Sequence, residues 1–313
     1  MITKNIASTA SIIKIVIQAQ MTKTTLPVLK AWKRIFELLK CIDDHPYDRD
    51  GFREAVLKLY PGRSPKSVFR GMAIPTLRSL GFIVGYADVI RISANGALVH
   101  TARQESKSEG LRALRAVLLE MDDEIGILLY LENKPAIPIQ ALVDEWTPKV
   151  DISDPRVAHK PEARNRAARE RIHDWVSFLA FAELLYTNGQ NTRADTSRLT
   201  QTRNDIDANT LEKRECFDEN FFKGYKRIVV EQSGVRTVEI ERLRKELAIK
   251  VYNQSHLLIT EKQFNVLLRE LPKASDQYTI TFGRSMGADE KLFFFQGQYY
   301  QTVSIRFYSS TIA

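Results

Sequence analysis

Cysteine and histidine are scarce in this chain, which has two cysteines and five histidines among 313 residues. Cys41 and Cys216 lie far apart in the sequence, and neither has a second cysteine or a histidine at the spacing of a zinc site. Isolated cysteines are typical of a protein in a reducing compartment. We therefore expect a cytoplasmic protein that contains no disulfide bond, no metal and no other cofactor.

Long apolar runs are also missing. The N-terminal run "SIIKIVIQAQ" is interrupted by Lys14 and no clean cleavage site follows it, so a secretory signal is not expected. No other run has the length that crossing a bilayer requires, and the sequence therefore predicts no membrane partner. Residues 1–24 are expected to be a poorly ordered leader, with Met21 as an alternative start to Met1.

Catalytic motifs are sparse. The chain has no Gly-Lys loop of the kind that cradles a nucleotide phosphate. Glu132 and Lys134 match the Glu-x-Lys motif of metal-dependent nucleases, with Asp122 and Asp123 upstream. That chemistry needs the acids on neighbouring strands, whereas "EIGILLYLENKPAIP" predicts a helix that ends at a proline-bounded turn. We expect no enzymatic activity, and a metal-dependent nuclease is the alternative.

Basic residues outnumber acidic ones, with 46 Lys and Arg against 38 Asp and Glu and a formal net charge of +8. The isoelectric point of about 9.3 favours polyanionic partners such as nucleic acid. Because 44% of the residues are hydrophobic, the chain can build sizeable cores, and its length predicts two or three domains.

Residues 25–107 are predicted to form three helices followed by a β-hairpin. "LPVLKAWKRIFELLKCID" and "DGFREAVLKLYP" carry apolar residues at helical spacing. A third helix has Ser64 as its N-cap and Pro65 in its first turn, and it ends at Gly81. Pro75 lacks an N–H and is expected to kink or break this helix. "FIVGYADVIRIS" then predicts the hairpin, and "ANGALVHTA" predicts a turn and a short helix.

This order of elements resembles the winged-helix family, in which the third helix stops at a Leu-Gly pair, here in "LRSLGFI", and leads into a β wing. Residues 108–205 are interpreted as a diverged copy. Helices are predicted through "EIGILLYLEN", "IQALVDEW" and "ARNRAARERIHDWVSFLAFAELLYTNG". The wing after them is expected to be weak, because "QNTRADTSRLTQTRND" has little β character.

Residues 206–313 give the clearest periodicity. "DENFFKGYKRIVVEQ", "TVEIERLRKELAIKVY" and "TEKQFNVLLRELPK" predict helices, the last opening with a capping box formed by Thr260 and Gln263. Three β runs follow, with the loop "GRSMGADEK" as the expected wing tip, and Val303 and Ile305 alternate with polar residues. The predicted fold is therefore α+β, mainly helical, with three consecutive winged-helix units at residues 25–107, 108–205 and 206–313.

The winged-helix resemblance implies which residues contact DNA, because the third helix of such a unit enters the major groove. In the first unit the outward-facing residues are Lys66, Ser67, Arg70 and Arg78. The basic start of the long helix in the second unit adds Arg164, Arg166, Arg169 and Arg171, and the third unit adds Lys262, Gln263, Asn265 and Arg269.

The arrangement also resembles the recognition region of modular restriction endonucleases, where winged-helix units share the reading of a short site. This resemblance implies a non-catalytic protein that binds double-stranded DNA for a restriction or antiviral defence system. A nuclease, methyltransferase or ATPase would then be a separate chain. The alternatives are a transcription or plasmid-replication regulator, and a winged-helix protein-interaction subunit of a chromosome-organising ATPase complex.

Overall fold

The computed structural model describes residues 23–85, 90–154, 157, 159–207, 210–284 and 292–308. Over these residues the chain is α+β and mainly helical, as predicted. It forms two compact units. The paired unit combines Ala31–Val117 with the described residues from Gln201 onward, and the middle unit combines Leu118–Thr200 with the described residues up to Lys30. No helix in the described ranges has both the length and the apolar character needed to cross a membrane.

The first segment of the paired unit contains the predicted helices and hairpin. Its elements are α1 (Ile35–Asp44), α2 (Arg49–Leu59), α3 in three consecutive pieces (Pro65–Val68, Phe69–Ala73 and Ile74–Ser79), β1 (Ile83–Val84), β2 (Arg91–Ile92), α4 (Ala94–Glu105) and α5 (Lys107–Ile125). Strands β1 and β2 are antiparallel, with Ile83 opposite Ile92, and the tip of their hairpin at 86–89 lies outside the described residues. The short helix predicted after the hairpin is α4, and the Ser93 side chain caps it by accepting from the Gly96 N–H at 3.1 Å.

Helix α3 passes Pro75 without breaking. The turn before the proline, Phe69–Ala73, is a π-helix, and Ala73 and Ile74 keep helical backbone angles. A proline inside a regular α-helix removes one hydrogen bond and collides with the carbonyl four residues earlier. A π turn bonds each carbonyl one residue further along the chain, so it shifts the hydrogen-bond register just before Pro75. The expected interruption therefore takes the form of a widened turn rather than a break.

The middle unit is built of helices around a small sheet. After α5 its elements are α6 (Ile127–Glu132), β3 (Ile137–Pro138), α7 (Ile139–Trp146), α8 (Pro161–Phe181), β4 (Leu185–Thr187), β5 (Asn191–Ala194) and α9 (Thr196–Ile206), the last of which continues into the paired unit. The three strands are antiparallel in the order β3-β5-β4.

Where a weak wing was expected, the middle unit has the short hairpin β4-β5, and most of the stretch with little β character forms the helix α9. Helix α8 ends at Phe181, and the next stretch, predicted to be helical, forms β4 and the turn. Asn188 and Asn191 close that turn, with the Asn188 N–H donating to the Asn191 carbonyl at 3.1 Å, and Gly189, at φ 85°, and Gln190 lie between them. Two-residue hairpin turns favour glycine at the first central position, where positive φ is needed, and this signal outweighs the helical pattern before it.

We expect Gly189→Ala to destabilise the middle unit by about 1 kcal/mol, because a Cβ is strained at positive φ. A Cβ there would meet no atom within 4 Å, so the loss comes from the backbone alone. Gly189→Asn is the matched control, since asparagine tolerates this conformation better. Urea unfolding followed by tryptophan fluorescence measures the difference, and equal stability of Gly189→Ala and wild type would contradict it.

The second segment of the paired unit contains three helices and a sheet. Its elements are α10 (Leu211–Glu231), β6 (Thr237–Glu239), α11 (Ile240–Ser255), α12 (Glu261–Glu270), β7 (Tyr278–Arg284), β8 (Phe293–Phe295) and β9 (Gln298–Phe307). The strand order is β6-β9-β7, and β8 also pairs with β9. The predicted capping contact is present, with the Gln263 N–H donating to the Thr260 Oγ1 at 3.2 Å, and Val303 and Ile305 are buried. The expected wing tip at 285–291 lies outside the described residues.

The two segments of the paired unit are joined at the start of α4. The Ala94 N–H donates to the Glu241 side chain at 2.8 Å, and the Glu261 N–H donates to the Asn95 Oδ1 at 2.9 Å. The free N–H groups at the start of a helix favour such carboxylates. The start of α12 is therefore held against α4 of the first segment.

Candidate nucleic-acid interface

A basic groove of about 880 Å³ lies between α2 and α3 in the first segment of the paired unit. Among the described residues that line it, five are cationic and none is acidic. The cations are Arg49, Arg53, Lys66, Arg70 and Arg78, and the apolar lining comes from Phe52, Phe69, Ile74, Pro75 and Ile90, with Pro65 at one end. We call this set of residues the basic groove.

Helix α2 contributes one cationic wall of the basic groove. The Asp48 side chain starts the helix by accepting from the Gly51 N–H at 2.9 Å. Val56 is buried at 0% exposure and belongs to the side of the helix that packs on the core. Arg49 and Arg53 are exposed and four residues apart, so they lie one turn above each other along the helix.

Helix α3 contributes the other wall. Ala73 and Leu77 are fully buried, as the periodicity predicts, while Arg70 and Arg78 are exposed. The Arg78 guanidinium also donates to the Gly85 carbonyl at 2.9 Å, which fixes its position beside the hairpin. The predicted contact residues Lys66 and Ser67 are exposed in the first turn of the same helix.

Aromatic rings form the floor of the basic groove. Phe52 and Phe69 meet edge to face with their centroids 6.1 Å apart. The Arg53 guanidinium lies 5.8 Å from the Phe69 centroid, a cation–π distance. This contact holds one cation in place above an apolar surface, where the local dielectric is lower than in bulk water and a phosphate is attracted more strongly.

The four predicted arginines of α8 divide into two pairs. Arg169 is paired with Asp144, and Arg171 donates to the Leu26 carbonyl at 3.3 Å. Burial lowers the pKa of the Arg171 guanidinium, although nearby aspartates oppose the shift. Arg164 and Arg166 are exposed near the start of the helix. Only this second pair is placed to meet a polyanion.

Most of the predicted DNA-contacting residues of α12 form hydrogen bonds within the protein. Gln263 is 2% exposed and accepts from the Lys213 ammonium at 3.2 Å, so it does not reach solvent. The half-buried Asn265 accepts from Arg244 at 2.9 Å. Lys262 and Arg269 are exposed, and Arg269 also donates to the Phe294 carbonyl at 3.0 Å.

The acidic residues of the nuclease alternative lie on helices. Asp122 is buried in α5, where it accepts from the Trp175 indole N–H at 2.9 Å and from the Leu128 N–H at 2.6 Å. Burial raises the pKa of Asp122 to about 7. Glu132 ends α6, and Lys134, just beyond it, donates to the Tyr130 hydroxyl at 2.8 Å.

Three metal-ligating side chains meet elsewhere in the paired unit, namely those of Glu105, Glu109 and His256. The Tyr252 hydroxyl donates to Glu105 at 2.6 Å and is 3.1 Å from Glu109, and Arg112 forms a salt bridge with Glu109 at 2.8 Å. Protein donors therefore already satisfy both carboxylates, and the group joins α4 and α5 to the end of α11.

Comparison of the chain with protein-family models, with curated proteins and with solved structures finds no match. The basic groove is consequently the feature from which a function is inferred. Arg49 and Arg53, which the sequence analysis did not select, complete it.

Proposed function

We propose that this chain is a non-catalytic protein that binds double-stranded DNA through the basic groove. The observation that carries the proposal is the composition of the groove, five cations over an aromatic floor with no acidic side chain among its described lining. A duplex presents two rows of phosphates, and neutralising them releases condensed counterions. A concave surface of one charge sign raises the local concentration of such a partner.

Within this proposal, α3 is the element that meets the major groove. Lys66, Arg70 and Arg78 lie along its exposed side, and Arg49 and Arg53 of α2 take the adjoining backbone phosphates. Phosphate contacts position the protein, whereas sequence reading needs side chains that reach base edges. Arg70 has the chemistry for that task, since a guanidinium pairs with guanine through two hydrogen bonds.

The finer fold that we propose is a set of winged-helix units. The sheet of the middle unit and that of the second segment have equivalent strand orders, β3-β5-β4 and β6-β9-β7. In each, a short strand precedes the helices and pairs with the last strand of the hairpin that follows them. This repetition supports a common architecture, to which the helices and hairpin of the first segment also correspond.

In its biological role, the chain would be the DNA-recognition component of a restriction or defence system, with a nuclease, methyltransferase or ATPase on a separate chain. That assignment depends on the resemblance stated for the sequence. A transcription or replication regulator would use the same groove in the same way. A protein-interaction subunit would not need a groove whose charged lining is entirely cationic.

Salt dependence of duplex binding tests the proposal. If four or five cations contact phosphates, the slope of log affinity against log salt should lie between about −3 and −5, so affinity falls roughly 100-fold or more from 50 to 200 mM salt. Fluorescence anisotropy with a labelled 20-base-pair duplex measures this slope. Absence of binding at 50 mM salt would refute the DNA function and favour the protein-interaction alternative.

A further inference from the structure

A second cleft, of about 590 Å³, lies between the two segments of the paired unit. One wall comes from the end of α1 and from β2, and the other from β6 and α11. Unlike the basic groove, this cleft is lined by charges of both signs. We call it the inter-segment cleft.

The four acidic residues of the inter-segment cleft share one property, which is that each already has a partner. The partners are Arg91 for Glu239, the Ala94 N–H and Arg244 for Glu241, Arg227 for Glu246, and His100 for Asp43. Carboxylates engaged in this way have little capacity left to attract a cationic ligand. The four acidic side chains therefore stabilise the walls of the cleft rather than bind a ligand.

The uncommitted polar groups of the cleft are donors. The Arg91 Nε and Gln232 Nε2 atoms are buried, and neither has a hydrogen-bond partner in the described part of the chain. The Lys245 side chain is half-buried in the same wall, and burial lowers the pKa of its ammonium, an effect that Asp43 and Glu241 oppose. A buried donor without an acceptor is costly, so an acceptor bound beside these groups would be stabilising.

We propose that the inter-segment cleft binds a phosphorylated small molecule, with its phosphate held by Arg91, Gln232 and Lys245. Donors from three separate side chains match the several oxygens of a phosphate better than the two oxygens of a carboxylate. Isoleucines and a valine line the rest of the cleft and provide an apolar surface for the organic part of the ligand. The ligand would contact both segments and hold them together.

Thermal unfolding in the presence of inorganic phosphate and of adenosine monophosphate tests this site, with sodium chloride at equal ionic strength as reference. At about ten times the dissociation constant, a ligand should raise Tm by roughly 3–6 °C. The double variant Lys245→Met with Gln232→Leu should bind at least about 10-fold more weakly. Lys250→Met, which removes a lysine of the same helix outside the cleft, should bind like wild type.

Two results would overturn the proposal. One is the absence of any Tm shift with either probe, or a shift of equal size in all three proteins. The second result concerns whether the bound phosphate belongs to a small molecule or to DNA, and the experiment uses the labelled duplex. The Lys245→Met variant should retain duplex affinity within about 2-fold, and a loss as large as that of basic-groove variants would assign the phosphate to DNA rather than to a small molecule.

Discussion

Replacing Arg70 and Arg78 together by alanine is expected to weaken binding to duplex DNA by about 100-fold at 100 mM salt. Both side chains line the basic groove from the exposed side of α3. A hydrogen bond from a cation to a phosphate contributes about 1.5 kcal/mol or more, so losing two such contacts gives roughly this factor. The slope of log affinity against log salt should also become shallower by about 2, because two fewer counterions are released.

The matched control removes the same charge elsewhere on the same segment. Lys40 and Lys58 are exposed on α1 and α2 and do not line the groove, so Lys40→Ala with Lys58→Ala should change affinity by less than about 3-fold. Fluorescence anisotropy compares the two double variants, and circular dichroism checks that each is folded. Equal losses would mean that net charge alone drives binding. Unchanged affinity of the Arg70 and Arg78 variant would remove the groove from the interface.

Local patterns predicted most of the helices and the strand alternation. Ala73 and Leu77 in α3, and Val303 and Ile305 in β9, are buried as their spacing requires, because one face of each element packs on a core. The Asn188-Gly189 turn was missed since apolar residues at helical spacing continue up to it. If the predicted helix had been ended before the turn residues, the sequence would have predicted that hairpin.

The packing of the first segment against the second could not be predicted from the sequence. It depends on contacts between residues more than 140 positions apart, such as Ala94 with Glu241 and Asn95 with Glu261. These contacts hold the start of α12 against α4. Gln263, on the predicted reading face of α12, is buried beside Lys213 of α10, 50 positions earlier, although its spacing alone would place it among the polar contact residues.

Only part of the basic groove could be predicted from the sequence, because the groove also depends on tertiary packing. Arg70 and Arg78 were found from the periodicity of one helix, and Lys66 from its place at the start of that helix. Arg49 and Arg53 join them only because α2 packs beside α3, which is a tertiary property. Their spacing of four residues, which places them one turn apart on α2, was the available signal. A solvated basic helix face gives that same signal, so the groove itself was needed to distinguish the two.

The stability of the middle unit is expected to fall as pH rises from about 4 to 7, through the carboxyl of Asp122. Its pKa is about 7 in the folded chain, against 3.8 for an unperturbed aspartate, because burial disfavours the charged form. The folded state thus holds this proton more tightly than the unfolded state. Stability from this group is fully present below pH 4 and is lost as pH rises through 7, by an amount on the order of 4 kcal/mol.

Asp122→Asn isolates this effect, since asparagine is neutral at every pH. The amide cannot accept from both the Trp175 and Leu128 N–H groups, so the variant should be less stable than wild type at pH 5. The difference in the free energy of unfolding between wild type and Asp122→Asn should shrink by about 2–4 kcal/mol by pH 8.5, because ionisation of Asp122 destabilises only the wild type. Urea unfolding followed by tryptophan fluorescence measures it, because Trp146 and Trp175 both lie in the middle unit. An exposed acid of the same helix provides the control, and Glu124→Gln should follow the wild-type pH dependence. If Asp122→Asn also follows it, Asp122 does not hold its proton in the folded state.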